Sequence, residues 1–126
     1  MSTNGNLTIT LRDFSTSAER TGTTLTLKLV GNADMAAKDS LDALLPRLHQ
    51  EALSLSAKEV VIDFRELEFM NSSCFKSFVT WISDVSELEA DKQYKIRLLS
   101  KAEMHWQRRS LHALRCFAID LITIET

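Results

Sequence analysis

Three consecutive side chains that carry a nucleophilic oxygen or sulfur, Ser72, Ser73 and Cys74, follow Asn71 and precede an apolar repeat of helical period. Asparagine and serine are residue types that cap helices, so the segment predicts a helix N-terminus. The unpaired backbone N–H groups and the positive end of the helix dipole at such a terminus favour an anion. A phosphate on either serine would therefore be tolerated locally, although simple helix capping also accounts for these residues.

A strand and a helix are predicted on either side of this segment. The strand, from Glu59 to Phe64, is a nearly continuous β-prone run typical of the centre of a sheet, and Asp63 inside it requires a polar partner. The helix begins at Ser72 and is indicated by one apolar stripe, formed by Phe75, Phe78, Val79, Ile82 and Val85. Trp81 lies off this stripe, so it is either covered by a neighbouring helix or exposed as a binding anchor.

Two segments near the N-terminus alternate apolar and polar residues. Leu7 to Phe14 and Leu25 to Val30 therefore predict half-buried strands. The polar stretch between them, Ser15 to Thr23, predicts an exposed and mobile hairpin connection.

A helical stripe follows Gly31 and consists of Leu41, Leu44, Leu45 and Leu48. Pro46 lies within this stripe. Because a proline inside a helix removes a hydrogen bond and costs about 3 kcal/mol, it predicts a kink or an irregular segment up to about Asp42.

The rest of the chain predicts a strand from Tyr94 to Leu99, a helix from Glu103 to Phe117 and a short strand from Leu121 to Ile124. Strands that alternate with helices after an initial hairpin indicate an α/β fold, in which helices pack against a mixed β-sheet. Binding sites in such sheets lie beyond the carboxyl ends of the parallel strands. We therefore expect the Gly31 to Asp34 loop and the Asn71 to Cys74 segment to form one surface.

The composition, with 44% hydrophobic and 25% charged residues, is that of one globular domain spanning residues 1–126. A formal charge of -2 argues against bulk nucleic-acid binding. No apolar run approaches the roughly 18 residues of a membrane span, and residues 1–6, which we expect to be flexible, lack signal-peptide features. We expect a cytoplasmic protein without membrane insertion and, since no glycine-rich phosphate loop is present, without a cofactor.

Two motifs resemble those of a known family. LEFMNSSCF, residues 67–75, is similar to the aromatic-Met-Asp-Ser-Ser-Gly segment of STAS domains, the bacterial anti-sigma-factor antagonists. LKLVGNAD, residues 27–34, is similar to the family's strand followed by Gly-x-x-Asp. The intervening elements keep the family's order, and the resemblance covers Leu7 to Glu125. It implies a STAS-like mixed sheet with an N-terminal hairpin.

The resemblance also implies a non-enzymatic partner-switching regulator. Such a protein binds a regulatory serine kinase or anti-sigma factor, is released when phosphorylated, and is restored by a phosphatase. Ser72 aligns with the phosphate acceptor and Ser73 is the alternate acceptor, while Asp34, Asn71, Ser73 and Cys74 are the implied partner contacts. Asn71 replaces the family's acidic residue and Cys74 its following glycine. A STAS subunit of a transport or signalling complex that is not phosphorylated is therefore the alternative.

Three further features allow other interpretations. Cys74 in a first helical turn could be an activated thiol, but no histidine lies in the same loop, so a buried thiol is the favoured interpretation. His112 and Cys116 share a helical face, yet two ligands do not complete a metal site, and we expect a surface histidine beside a core cysteine. The helix that contains Arg108 and Arg109 is basic, and is either a solvated face or a dock for an acidic partner or anionic lipid.

Overall fold

The computed structural model describes residues 7–126, so the expected flexibility of residues 1–6 lies outside the described residues. The elements are β1 (Ile9–Thr10), β2 (Phe14–Thr21), β3 (Thr24–Ala33), α1 (Met35–Ser54), β4 (Glu59–Met70), α2 (Ser72–Ser86), β5 (Lys95–Leu99), α3 (His105–Cys116) and β6 (Ile122–Glu125). The six strands lie side by side in chain order. β1, β2 and β3 pair antiparallel, whereas β3 to β6 pair parallel. The predicted α/β fold with a mixed sheet is confirmed.

One face of the sheet carries the core and all three helices. Leu25, Val60, Ile96 and Ile122 are register partners across the four parallel strands, and each is fully buried. They belong to one apolar cluster with buried residues of α1, α2 and α3, including Leu41, Leu44, Phe78, Ile82, Leu111 and Leu114. Full burial of each such side chain contributes about 1.5 to 3 kcal/mol, so this packing determines which way the helices face.

The opposite face of the sheet carries charged side chains that form ion pairs. Arg97 contacts Glu59 at 3.0 Å and Glu125 at 3.1 Å. Asp63 is buried on this face, and its carboxylate accepts two hydrogen bonds of 2.9 Å from the guanidinium of Arg65. Burial alone would raise the pKa of Asp63, but hydrogen bonds from the side chain and backbone of Arg65 lower it. Asp63 thus has the polar partner that its position requires.

The N-terminal hairpin and its strand over Leu25 to Val30 are confirmed, but the predictions for the segment before that strand are wrong. Leu7 to Phe14 is not one strand, because β1 contains only two residues, and the expected mobile connection Ser15 to Thr23 is mostly β2. The hydroxyl of Thr16 is buried, accepts from the Ile9 N–H at 2.9 Å and donates to the Leu7 carbonyl at 2.8 Å. A polar side chain therefore occupies an inward position because its hydrogen bonds are satisfied within the sheet.

The irregular segment predicted around Pro46 is also absent, since α1 is one helix from Met35 to Ser54. Pro46 and Asp42 are exposed, so the carbonyl that loses its helical donor lies on the solvent side. Leu44, Leu45 and Leu48 are buried on the other side. Packing of this stripe outweighs the local penalty of the proline.

Trp81 is buried rather than exposed as an anchor. Its indole N–H donates to the hydroxyl of Tyr94 at 2.9 Å, and that hydroxyl lies 2.7 Å from Nδ1 of His49. The Tyr94 hydroxyl therefore has hydrogen-bond partners on both sides, and it donates to Nδ1 when that nitrogen carries no proton. Burial lowers the pKa of His49, and the opposing effect of Asp84 is smaller.

No helix within residues 7–126 is both long and apolar enough to cross a membrane.

The His49 contact predicts a pH dependence of stability. The pKa of His49 in the folded state lies below the ordinary value of 6.5, so the unfolded chain binds more protons as the pH falls through that value. The free energy of unfolding should therefore fall below about pH 6.5 in wild type and fall less in His49→Gln. Urea denaturation of both proteins at about pH 7.5 and about pH 5.5 measures how much the free energy of unfolding falls. Carboxylate titrations occur in both proteins, so they cancel when the two falls are compared. Parallel pH curves for the two proteins would contradict it.

Candidate functional site

Two loops meet where β3 and β4 end. These strands are parallel neighbours, and their last residues, Ala33 and Met70, are register partners. The residues that follow are Asp34 and Asn71, and the Asn71 N–H donates to the Ala33 carbonyl at 2.9 Å. The expected meeting of the two loops at one edge of the sheet is confirmed.

Both loops lead directly into helices, and a polar side chain caps each one. The Asp34 carboxylate accepts from the Ala36 N–H at 3.0 Å, and the Asn71 amide oxygen accepts from the Cys74 N–H at 2.8 Å. The N-termini of α1 and α2 therefore lie side by side, with both positive dipole ends at the same edge. Such an edge favours anionic groups.

Ser72 and Ser73 differ in accessibility. Ser72 is the first residue of α2 and is exposed, whereas Ser73 is only partly exposed. Lys76 is exposed one turn further along the same helix, within reach of a group on Ser72 because residues four apart are neighbours. Of the two serines, Ser72 is therefore the more accessible.

Cys74 is buried and does not have the properties of a catalytic thiol. Its Sγ lies 3.4 Å from the Asp34 carbonyl, so it links the two loops from beneath. Burial raises the pKa of Cys74 to about 11, and the opposing charge of Lys38 is a smaller effect. The thiol is therefore protonated at neutral pH, and the activated-thiol interpretation loses its physical basis.

Two exposed apolar residues flank the caps and were not singled out from the sequence. Met35, the first residue of α1, is 66% exposed, and Phe69, next to the end of β4, is 47% exposed. The apolar run in the sequence predicts a strand that ends at Phe64, whereas β4 continues to Met70 and brings Phe69 to the site. Apolar side chains beside polar caps are typical of protein-binding surfaces.

Gly31 sets the geometry of the loop before Asp34. Its φ is +101°, and a Cβ at this position would lie 2.0 Å from the Asp13 carbonyl oxygen. The adjacent Asn32 N–H donates to that same oxygen at 2.7 Å. The register of β3 against β4 shifts between Gly31 and Asn32. Glycine is therefore required where the strand bends towards its end.

The last part of β4 is held by α3. β5 pairs with β4 only as far as Asp63, which leaves later carbonyls without a strand partner on that side. Nε2 of Gln107 donates to the Phe64 carbonyl at 2.5 Å and to the Leu67 carbonyl at 3.2 Å, and the indole of Trp106 donates to Leu67 at 3.1 Å. Side chains of α3 thus replace the missing strand and fix the approach to Asn71.

Within residues 7–126, no group of three or more histidine, cysteine or acidic side chains is placed to hold a metal ion. Cys116, expected in the core beside His112, is instead exposed. The apolar stripe of α3 consists of Leu111 and Leu114, with Gln107 as its third buried residue.

No protein-family model and no curated protein matches the chain. Among solved structures, an anti-sigma factor antagonist from Mycobacterium paratuberculosis aligns with a TM-score of 0.58 and 16% identity, over 82% of this chain and 80% of that one. The Bacillus cell fate determinant SpoIIAA, in its phosphorylated form, aligns with a TM-score of 0.53 and 21% identity, over 88% of this chain and 91% of that one. Both are STAS-domain proteins, and the likeness shows that this chain has the STAS fold.

The Gly31 geometry predicts a strong effect of a single methyl group. Gly31→Ala should lower the free energy of unfolding by about 2 kcal/mol or more, because it adds both a left-handed alanine and a backbone clash. Gly22→Ala is the matched control, since Gly22 has a φ of +61° but a Cβ added there would have no atom within 4 Å. Urea denaturation should show a loss of only about 1 kcal/mol for the control. Equal losses would contradict the role of the Asp13 contact.

Proposed function

We propose that the protein is a non-enzymatic, partner-switching regulator of the anti-sigma-factor-antagonist type. It binds a regulatory serine kinase or anti-sigma factor through the edge that contains Asp34, Asn71 and Ser73, and phosphorylation of Ser72 releases it. Cys74, also expected as a partner contact, is buried beneath this edge and can only support it from inside. The observation that carries the proposal is the exposed Ser72 hydroxyl at the start of α2, beside a second helix N-terminus. The STAS fold supports it.

The edge suits a phosphate in the modified state. A phosphate on Ser72 would have a charge of about -1.5 to -2 at pH 7. The dipole of α2 would stabilise each charge by about 0.3 to 1 kcal/mol, and Lys76 would add a cation one turn away. The Asp34 carboxylate at the same edge would oppose it. We therefore expect the phosphorylated domain to remain folded.

The same edge suits a protein partner in the unmodified state. Met35 and Phe69 supply exposed apolar surface, and Asp34 supplies a charge beside them. A partner of complementary shape would cover the apolar pair and place a basic group or hydrogen-bond donors near Asp34. A phosphate in such an interface would lose its water or meet a like charge, at a cost of several kcal/mol. Release on phosphorylation follows from this difference.

In this proposal the chain supplies only the acceptor hydroxyl. The kinase holds ATP and transfers its γ-phosphoryl group to the Ser72 oxygen, ADP leaves, and the serine proton passes to a base of the kinase. A phosphatase hydrolyses the phosphoserine with water and returns the unmodified domain. Asn71 and Cys74, which differ from the family motif, favour one alternative: a STAS subunit of a transport or signalling complex that is never phosphorylated.

The proposal predicts opposite behaviour of binding and stability at Ser72. Ser72→Asp should weaken partner binding at least about tenfold, while its melting temperature stays close to wild type because the new carboxylate lies at a helix N-terminus. Ser72→Ala should bind like wild type but resist modification. Affinity capture from the native cells with wild-type protein identifies the partner. Titration of that purified partner, beside circular dichroism melts of all three proteins, measures both quantities.

Phosphopeptide mapping of the protein isolated from the same cells decides the acceptor. The expected result is phosphate on Ser72. Phosphate found only on Ser73 would show that Ser73 is the acceptor. If no phosphate is found and Ser72→Asp binds the partner as tightly as wild type, the alternative of an unphosphorylated STAS subunit replaces the proposal.

A second prediction separates the two roles of Asp34. Asp34→Asn keeps an oxygen that can cap α1 but removes the charge, so it should melt like wild type and bind the partner more weakly. Asp34→Ala should also lose about 1 kcal/mol of stability, because the cap is gone. The same titrations and melts apply. If Asp34→Asn binds as tightly as wild type, Asp34 is a cap and not a partner contact.

A further inference from the structure

The outer face of α3 is a basic surface without internal counter-ions. Arg108 and Arg109 are exposed and line one shallow depression with His105 and His112. Residues 101–116 carry four basic and one acidic side chain, a formal charge of +3, whereas the whole chain has -2, which leaves -5 for the remainder. Neither arginine forms an ion pair with any residue of the described range 7–126.

An acidic surface of the same chain is equally unpaired. Residues 84–91 contain four acidic and no basic side chains, and Glu87, Glu89 and Asp91 include no buried member. None of these three forms an ion pair in the part of the chain that the structure describes. They lie at or just beyond the C-terminus of α2, at the opposite end of that helix from Ser72.

Both surfaces carry the charge that their helix dipoles disfavour. The first turn of α3 contains no acidic residue and its N-cap makes no side-chain hydrogen bond, while Arg108 and Arg109 follow directly. The last turn of α2 contains no basic residue, and Asp84 and Glu87 stand at its negative end. Opposite charges supplied by another molecule would therefore stabilise the N-terminus of α3 and the C-terminus of α2.

The burial of α3 argues against a lipid surface as the counter-charge. An amphipathic helix that binds a membrane inserts its apolar side among the lipids. Here Leu111 and Leu114 are buried against the sheet, so that side of α3 is already used. The exposed apolar groups near this helix, Phe117 and Ile119, follow its C-terminus and are better suited to a small protein contact.

We propose that the chain associates with a second copy of itself, the α3 face of one copy against the acidic 84–91 segment of the other. The charges of the two surfaces are complementary in sign and similar in number. Exposed ion pairs are individually weak, and their attraction is screened within about 8 Å at physiological salt. The association is therefore weak and salt-dependent. It uses neither Ser72 nor Asp34, and its acidic half lies at the end of α2 opposite Ser72.

Charge reversal tests the contact with the full-length chain. Arg108→Glu with Arg109→Glu, and separately Glu87→Lys with Glu89→Lys, should each weaken self-association about tenfold or more at low salt. An equimolar mixture of the two variants should associate, because every like-charge contact then becomes an opposite one. Sedimentation velocity at about 0.03 M and about 0.5 M salt measures the mass, and wild type should become monomeric at the higher value.

Arg12→Glu with Arg47→Glu is the control for the arginine variant, since it makes the same change of net charge at exposed residues outside the proposed contact. It should associate like wild type, and circular dichroism melts should show every variant folded. Wild type that is monomeric at low salt would overturn the proposal. Failure of the two mixed variants to associate would also overturn it. A third contrary result would be the absence of self-association together with low-salt binding to phosphatidylglycerol vesicles that the Arg108→Glu, Arg109→Glu variant loses.

Discussion

The parallel pairing of β3 with β4 is the constraint on which the candidate site depends. Parallel strands end at the same edge of a sheet, and here the last register pair is Ala33 with Met70. The helices that follow must both begin at that edge, and each begins with a capping side chain. Two loops that lie far apart in sequence are thereby joined by hydrogen bonds between Asn71 and Ala33 and between Cys74 and Asp34.

The long β4 strand makes a second demand on the fold. Its final residues extend past the end of β5, and their carbonyls require donors in a place where no strand supplies them. Trp106 and Gln107 supply these donors from the first turn of α3. The position of Asn71 therefore depends on contacts from α3, a helix that begins roughly 30 residues later in the chain, about the length of one βαβ unit. A displacement of α3 would be felt at the start of α2.

Most helices and strands, and the two loops of the candidate site, can be predicted from the sequence because the spacing of apolar and capping residues specifies them. The apolar stripe after Ser72 is the buried side of α2, and Gly31 is the residue at which β3 bends. Two segments could not be predicted, because side-chain hydrogen bonds or packing determine their structure. Thr16 occupies an inward position in a strand, and Pro46 lies in a continuous helix. The exposure of Phe69 could not be predicted, because burial of an aromatic residue depends on what covers it.

The two departures from the STAS motif have different physical consequences. Asparagine caps a helix about as well as aspartate, so Asn71 keeps the start of α2 in place while it removes a negative charge from the edge. Cys74 has a side chain where the family has glycine, and that side chain is accommodated beneath the loops rather than on the surface. For a regulator modified at Ser72, the neutral cap lessens repulsion of the phosphate and leaves Asp34 as the acidic cap at this edge. The loss of the motif's acidic residue is therefore compatible with phosphorylation, and it leaves at this edge the cap charge of α1, which the family's Gly-x-x-Asp motif also has.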